Sequence, residues 1–167
     1  MPKAIRGLER FTTAQDAPGS GSDEALREIR AGAKTGHWIW YVFPQLSGLG
    51  ASAMSQTFAI ADAAEAAAYL RDPTLRARLL TITAAVAEQL TIHGRPLRAL
   101  MGSEIDARKL VSSLTLFEHV ALMLQRTDGL DEYAALAEAA GAVLAAAAAA
   151  GYARCPSTLA RLAVPRS

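Results

Sequence analysis

Between Gly36 and Gly50 the chain reads GHWIWYVFPQLSGLG, which places both tryptophans and four of the ten aromatic residues between Trp38 and Phe43. No other stretch constrains the fold as much. Four large rings so close together need a large apolar volume, and the indoles of Trp38 and Trp40 and the hydroxyl of Tyr41 each need a hydrogen-bond partner once buried. Pro44 pushes Phe43 out of helical φ/ψ, so the run leaves as extended chain into a turn through Gly48 and Gly50. Two geometries fit the run itself. As a strand it would put Trp38, Trp40 and Val42 on one apolar face and Ile39, Tyr41 and Phe43 on the other, which makes it central. As a helical turn or irregular segment it would wedge its rings between helices, and the shortage of other good strands favours this reading. The rings are then a core nucleus or a pocket wall. If Trp40 is in the core, its truncation to alanine costs about 3–5 kcal/mol.

A chain of 167 residues buries a core without staples, and one globular domain over residues 1–167 is expected, with residues 1–6 and 164–167 as tails. Hydrophobic residues at 51% and charged residues at 20% exclude global disorder. A net charge of +1 offers no footprint for nucleic acid or anionic lipid, so neither is an expected partner. The alanine-rich segment 134–150 is interrupted by Glu138 and Gly141 and poor in Leu and Ile, which argues against a membrane span. The first residues, MPKAIRGLERF, lack the apolar segment of a signal peptide, so a cytoplasmic location is expected. Cys155 is the single cysteine, which rules out an intramolecular disulfide and fits a reducing compartment. Beside Pro156, it reads as an incidental thiol.

Along the chain the pattern is helical. Leu8, Phe11, Ala14 and Gln15 suit a first helix over 7–16, ended by Pro18–Gly21. Ser22 is expected to cap a helix over 23–34 that Gly36 closes. Residues 51–58 are weakly helical. Asp62 and Glu65 resemble a capping box for a helix to Arg71, and Asp72-Pro73 opens a long amphipathic helix to about Ile92. A helix over 107–125 carries Leu110, Leu114, Phe117, Ala121 and Leu124 on a core face and Arg108, Ser112, Thr115 and His119 on a polar stripe. Residues 131–150 and a short turn over 157–164 complete the set. The expected fold is mainly α, a compact single-domain multi-helix array with at most one or two short strands.

His37, His93 and His119 stand in no zinc-binding spacing, so no metal is expected. Phosphate-loop, dinucleotide and nucleophile-elbow motifs are absent, and no cofactor is expected. What remains is a convergence of the polar residues flanking the aromatic stretch, Gln15, Lys34, His37 and Gln45, with Lys109, Ser112, Ser113, Thr115 and His119. Trp38 and Trp40 would supply the wall. Cationic and hydroxyl groups against indole rings suit a small anionic ligand, nucleotide-like or a sugar phosphate, with His37 as candidate general acid or base. On this reading His37 comes within one ligand's reach of Ser112 or Ser113.

The same residues carry a resemblance. GLERFTTAQ from Gly7, EIRAGAK from Glu28, HWIWYVFPQLSGLG from His37, FAIA from Phe58, AYLRDP from Ala68 and KLVSSLTLF from Lys109 occur in order. Together they resemble the small bacterial and fungal family called domain of unknown function 1810. Members are sometimes labelled calpastatin, but no residue here supports protease inhibition. The family's motif residues map to Phe11, Gln15, Lys34, His37, Trp38, Trp40, Pro44, Gln45 and the Lys109–Phe117 stretch. The chain departs from the pattern at Val111, where an arginine tends to precede the paired serines, and at Pro18–Ser22, where an aromatic usually stands. The resemblance implies no function. Two uses of the stretch stay open: a ligand-binding domain or enzyme, and a non-catalytic interaction module or homodimer anchored by exposed aromatics.

Overall fold

Capping side chains and glycines decide where several of the helices start and stop. The computed structural model describes residues 7–164, so the expected tail 1–6, and all of the expected tail 164–167 except Val164, lie outside the described residues. Ten helices follow in order: α1 Glu9–Gln15, α2 Ser22–Ala31, α3 Ile39–Val42, α4 Ala53–Thr57, α5 Ala63–Arg71, α6 Pro73–Thr91, α7 Leu97–Met101, α8 Glu104–Asp128, α9 Asp131–Ala149 and α10 Pro156–Ala163. The fold is mainly α. Among the described residues there is no strand, only a parallel bridge between Leu46 and Ile60.

Asp62 accepts the Glu65 N–H at 2.9 Å to start α5. Asp72 accepts the N–H groups of Thr74 and Leu75, both at 3.0 Å, to start α6 at Pro73, as the sequence indicates. Two helices, α2 and α8, differ in extent from expectation. α2 stops at Ala31 because Gly32 takes the left-handed conformation, φ 96°, and a Cβ there would meet the Arg95 guanidinium at 2.3 Å. Gly36 therefore ends no helix. α8 is longer at both ends than 107–125, because Ser103 caps it by accepting the Asp106 N–H at 3.1 Å and Gly129 ends it with φ 71°.

The aromatic stretch is a single helical turn, α3, followed by extended chain. Extended Gln45–Ser47 then reaches Ile60, whose N–H donates to the Gln45 carbonyl at 2.9 Å while Ser47 N–H donates to the Ile60 carbonyl at 2.8 Å. The rings wedge between helices: Trp38, Tyr41 and Phe43 are buried, and Tyr41 stacks edgewise on Phe58 with centroids 5.3 Å apart.

The spine is α8, with Leu110, Leu114, Phe117, Ala121 and Leu124 fully buried, as the core face predicts. Val111, Leu116 and Val120 are buried too, since α8 packs against α3, α5, α7, α9 and α10 and has few sides left for water. α9 lies against both α8 and α6 through Leu136, Ala140, Val143 and Leu144. It is long and apolar enough to cross a membrane by length and composition, and here that apolar face is spent on the core.

The core indole is Trp38, at 0% exposure, whereas Trp40 is only partly buried. Trp38→Ala is therefore expected to cost about 3–5 kcal/mol and Trp40→Ala clearly less. Urea unfolding of both variants checks this, and equal losses would contradict the packing described.

Candidate functional site

The loop that delivers the chain into α3 is organised by one buried carboxylate. Glu28 Oε1 accepts the N–H groups of Thr35 and Gly36, each at 2.7 Å, and the Trp38 indole N–H at 3.0 Å. Burial opposes its charge, but these hydrogen bonds outweigh burial and hold its pKa below the ordinary glutamate value. Beside it Lys34 is buried, pairs with Asp106 at 2.7 Å, donates to the Gly36 carbonyl at 2.5 Å and lies 5.0 Å from the Trp38 ring centre. Lys34 and Trp38 thus hold the loop and present no free group to a ligand. His37 sits on the same loop but is exposed.

Other expected site residues are also spent inside. Gln15 is buried and donates to the Tyr41 carbonyl at 2.8 Å and to the Tyr69 hydroxyl at 3.1 Å. Thr115 is buried rather than part of a polar stripe, because α10 covers that side of α8. It donates to the Val111 carbonyl at 2.7 Å and accepts the Cys155 N–H at 3.2 Å. Ser113 is fully buried with no partner for its hydroxyl among the described residues. Ser112 faces the Cys155 thiol instead of the aromatic stretch. Within the expected convergence, His37 is thus exposed while Ser113 is sealed.

Three of the expected residues do meet. Trp40, Gln45 and Lys109 line a small cleft completed by Ile39, Phe43, Ser55 and Phe58. Extended chain after Pro44 brings in Gln45, α8 brings in Lys109, and α4 closes the top with Ser55. Lys109 Nζ lies 4.9 Å from the Trp40 ring centre. Neither the Lys109 ammonium nor the Gln45 amide has a hydrogen-bond or ion-pair partner among the described residues. The Trp40 indole N–H is buried and also without a partner. Three donors therefore converge with nothing to accept from them, and an acceptor-rich group is what such a set binds. The cavity encloses only about 10 Å³, room for about one water, so a larger group needs α4 to shift. Nothing in α4 is buried to prevent this. No three His, Cys, Asp or Glu side chains gather as metal ligands among the described residues.

Residues 5–140 match the family described as "Protein of unknown function (DUF1810)". The chain belongs to this family. It is similar in structure to the conserved hypothetical protein Rv1873 from Mycobacterium tuberculosis, a crystal structure with 36% identity, a TM-score of 0.71, and coverage of 95% of this chain and 97% of that one. No curated protein matches. The DUF1810 assignment and this neighbour carry a fold and no activity.

Reading the sequence missed Glu28, Ser55 and Phe58. Glu28 had a signal, since it is an acid on the same helical face as Ala25 and Ile29, where a carboxylate is stable only if hydrogen-bonded. Glu28 and Phe58 also open the EIRAGAK and FAIA motifs, but Ser55 had no signal, because only the path of the chain through Gly50 brings it over the cleft.

Two outcomes follow from these pKa shifts. Glu28 has a folded pKa below its unfolded value of about 4.3. Its stabilisation is complete above that value and is lost as pH falls through the folded pKa. Glu28→Gln should lower stability by about 1–3 kcal/mol at neutral pH, and its gap to wild type should narrow in acid. Urea midpoints near neutrality and at about pH 3 measure this, and a pH-independent gap would contradict the assignment. At Cys155, burial disfavours the thiolate, but the Ser112 and Thr158 hydroxyls and the N–H groups of Thr158 and Ser157 beside the sulfur outweigh it and lower the pKa. Alkylation by iodoacetamide should reach half its limiting rate below the ordinary thiol pKa of about 8.5, with Ser112→Ala moving that midpoint upward.

Proposed function

We propose that the chain binds a small ligand through a carboxylate or phosphate group seated between Trp40, Gln45 and Lys109. The observation that carries this reading is the buried, unpartnered Trp40 indole N–H beside a Lys109 ammonium with no carboxylate partner among the described residues. An anion would accept from both, and Gln45 would supply a third, neutral donor. Lys109 gives charge, and the indole gives direction and excludes water, which strengthens the contact. Ile39, Phe43 and Phe58 are the apolar wall for the rest of the ligand, which suits a nucleotide-like or sugar-phosphate compound with a flat or partly apolar body.

The proposal is for binding. His37, the candidate general acid or base, is exposed and lines none of the clefts described. A homodimer anchored by exposed aromatics has less to work with, since Trp38, Tyr41 and Phe43 are buried and only Trp40 reaches the surface.

Thermal shift with nucleotides, sugar phosphates and small carboxylates tests the reading, because a ligand that binds only the folded chain raises the melting temperature. At least one anionic compound should raise it and quench tryptophan emission, and Lys109→Met should weaken that ligand about tenfold or more. A ligand whose affinity is the same in wild type and Lys109→Met would place binding elsewhere.

A further inference from the structure

A second, larger concavity of about 840 Å³ lies between α5, α8 and α10, within the range that encloses small molecules. Its floor is apolar: Ala63, Ala64 and Ala67 from α5, Met123 from α8 and Leu162 from α10. His119 lines it as well, and with Met123 and Thr127 stands at four-residue spacing, one stripe of α8. Two arginines line it. Arg71 is paired with Asp128 at 3.1 Å. Arg161 is different, because its guanidinium donates to the carbonyls of Ser47 and Ala61, the latter at 3.1 Å, and no carboxylate pairs with it among the described residues. Carbonyls hold the guanidinium in place but leave its charge uncompensated. Asp62, the one carboxylate lining the cleft among the described residues, is occupied in capping α5.

We infer that this cleft binds a monocarboxylate with an apolar body, of the medium-chain fatty acid kind, its carboxylate on Arg161 and its chain along the alanine face of α5. The match is of charge and of surface. The fixed arginine lacks a counter-ion, and the methyl groups of Ala63, Ala64 and Ala67 leave a shallow lane that Met123 can shape itself against. Arg161 also bonds Ser47 and Ala61, next to the Gln45–Ile60 pairing, so α10 is held to the same strip of backbone that carries Gln45. The site does not depend on the Trp40 cleft, with which it shares no lining residue.

Calorimetry with decanoate below its micelle concentration, and with neutral decanamide as comparator, tests it on the intact chain. Decanoate should bind saturably and more tightly than decanamide. Arg161→Gln should weaken decanoate about tenfold or more. Since that change also removes the bonds to Ser47 and Ala61, the decisive variant is Ala64→Trp, an exposed position where an indole fills the lane without touching the core, and it should weaken decanoate similarly. Absence of saturable binding, equal affinity for decanamide, or full affinity in Ala64→Trp would each overturn the inference.

Discussion

The carboxylate of Glu28 is the group on which the rest of the arrangement depends. It leaves water to accept two backbone N–H groups and one indole N–H from a loop that is neither helix nor strand. A loop so close to the core would otherwise carry unsatisfied amides, each costing as much as a lost hydrogen bond. With Glu28 in place the loop is rigid, Trp38 is pinned at full burial, and α3 starts at a fixed point. Lys34 and Asp106 tie the same loop to the first turn of α8. A single carboxylate thus sets where the aromatic stretch sits relative to the longest helix.

From that fixed point the surfaces divide by how their polar groups are used. Lys34, Gln15 and Thr115 have their donors and acceptors filled by the protein, so they hold structure. Trp40, Gln45 and Lys109 keep donors unfilled among the described residues, and the same is true of the charge on Arg161. Burying an unpaired donor is unfavourable, so such groups persist where something else has reason to meet them. Among the lysines and glutamines, that distinction separates the scaffold from the clefts, while the unpartnered Ser113 hydroxyl is sealed in the core and lines neither cleft. Chemical type does not separate them, since lysines stand in both classes.

The two clefts share one strip of backbone. Ile60 pairs with Gln45 and Ser47, and Arg161 donates to Ser47 and Ala61 from the other side. α10, the last helix, is thereby fastened to a segment more than a hundred residues earlier. The pairing is too short to be a sheet, yet it does what a sheet edge would do in holding Gln45 at a fixed place beside α3.

Much of this was written in the chain. Helix starts at Asp62 and Asp72, the core face of α8, the mainly α class and the importance of the aromatic stretch all follow from local patterns, because capping and amphipathic spacing act within a few residues. The residues Trp40, Gln45 and Lys109 were also identifiable, as polar and aromatic groups in unusual density. Their partners were not. Whether Lys34 meets a ligand or Asp106, and whether Thr115 faces water or α10, depends on contacts between residues far apart in sequence, about which local pattern is silent. The same holds for Ser112, drawn to Cys155 rather than to His37 by the return of the chain after α9. The sequence determined most of the helices and which side chains could do chemistry. Only the tertiary structure decided which of those side chains are consumed by packing, because burial and pairing are properties of neighbours, and neighbours are chosen by the fold.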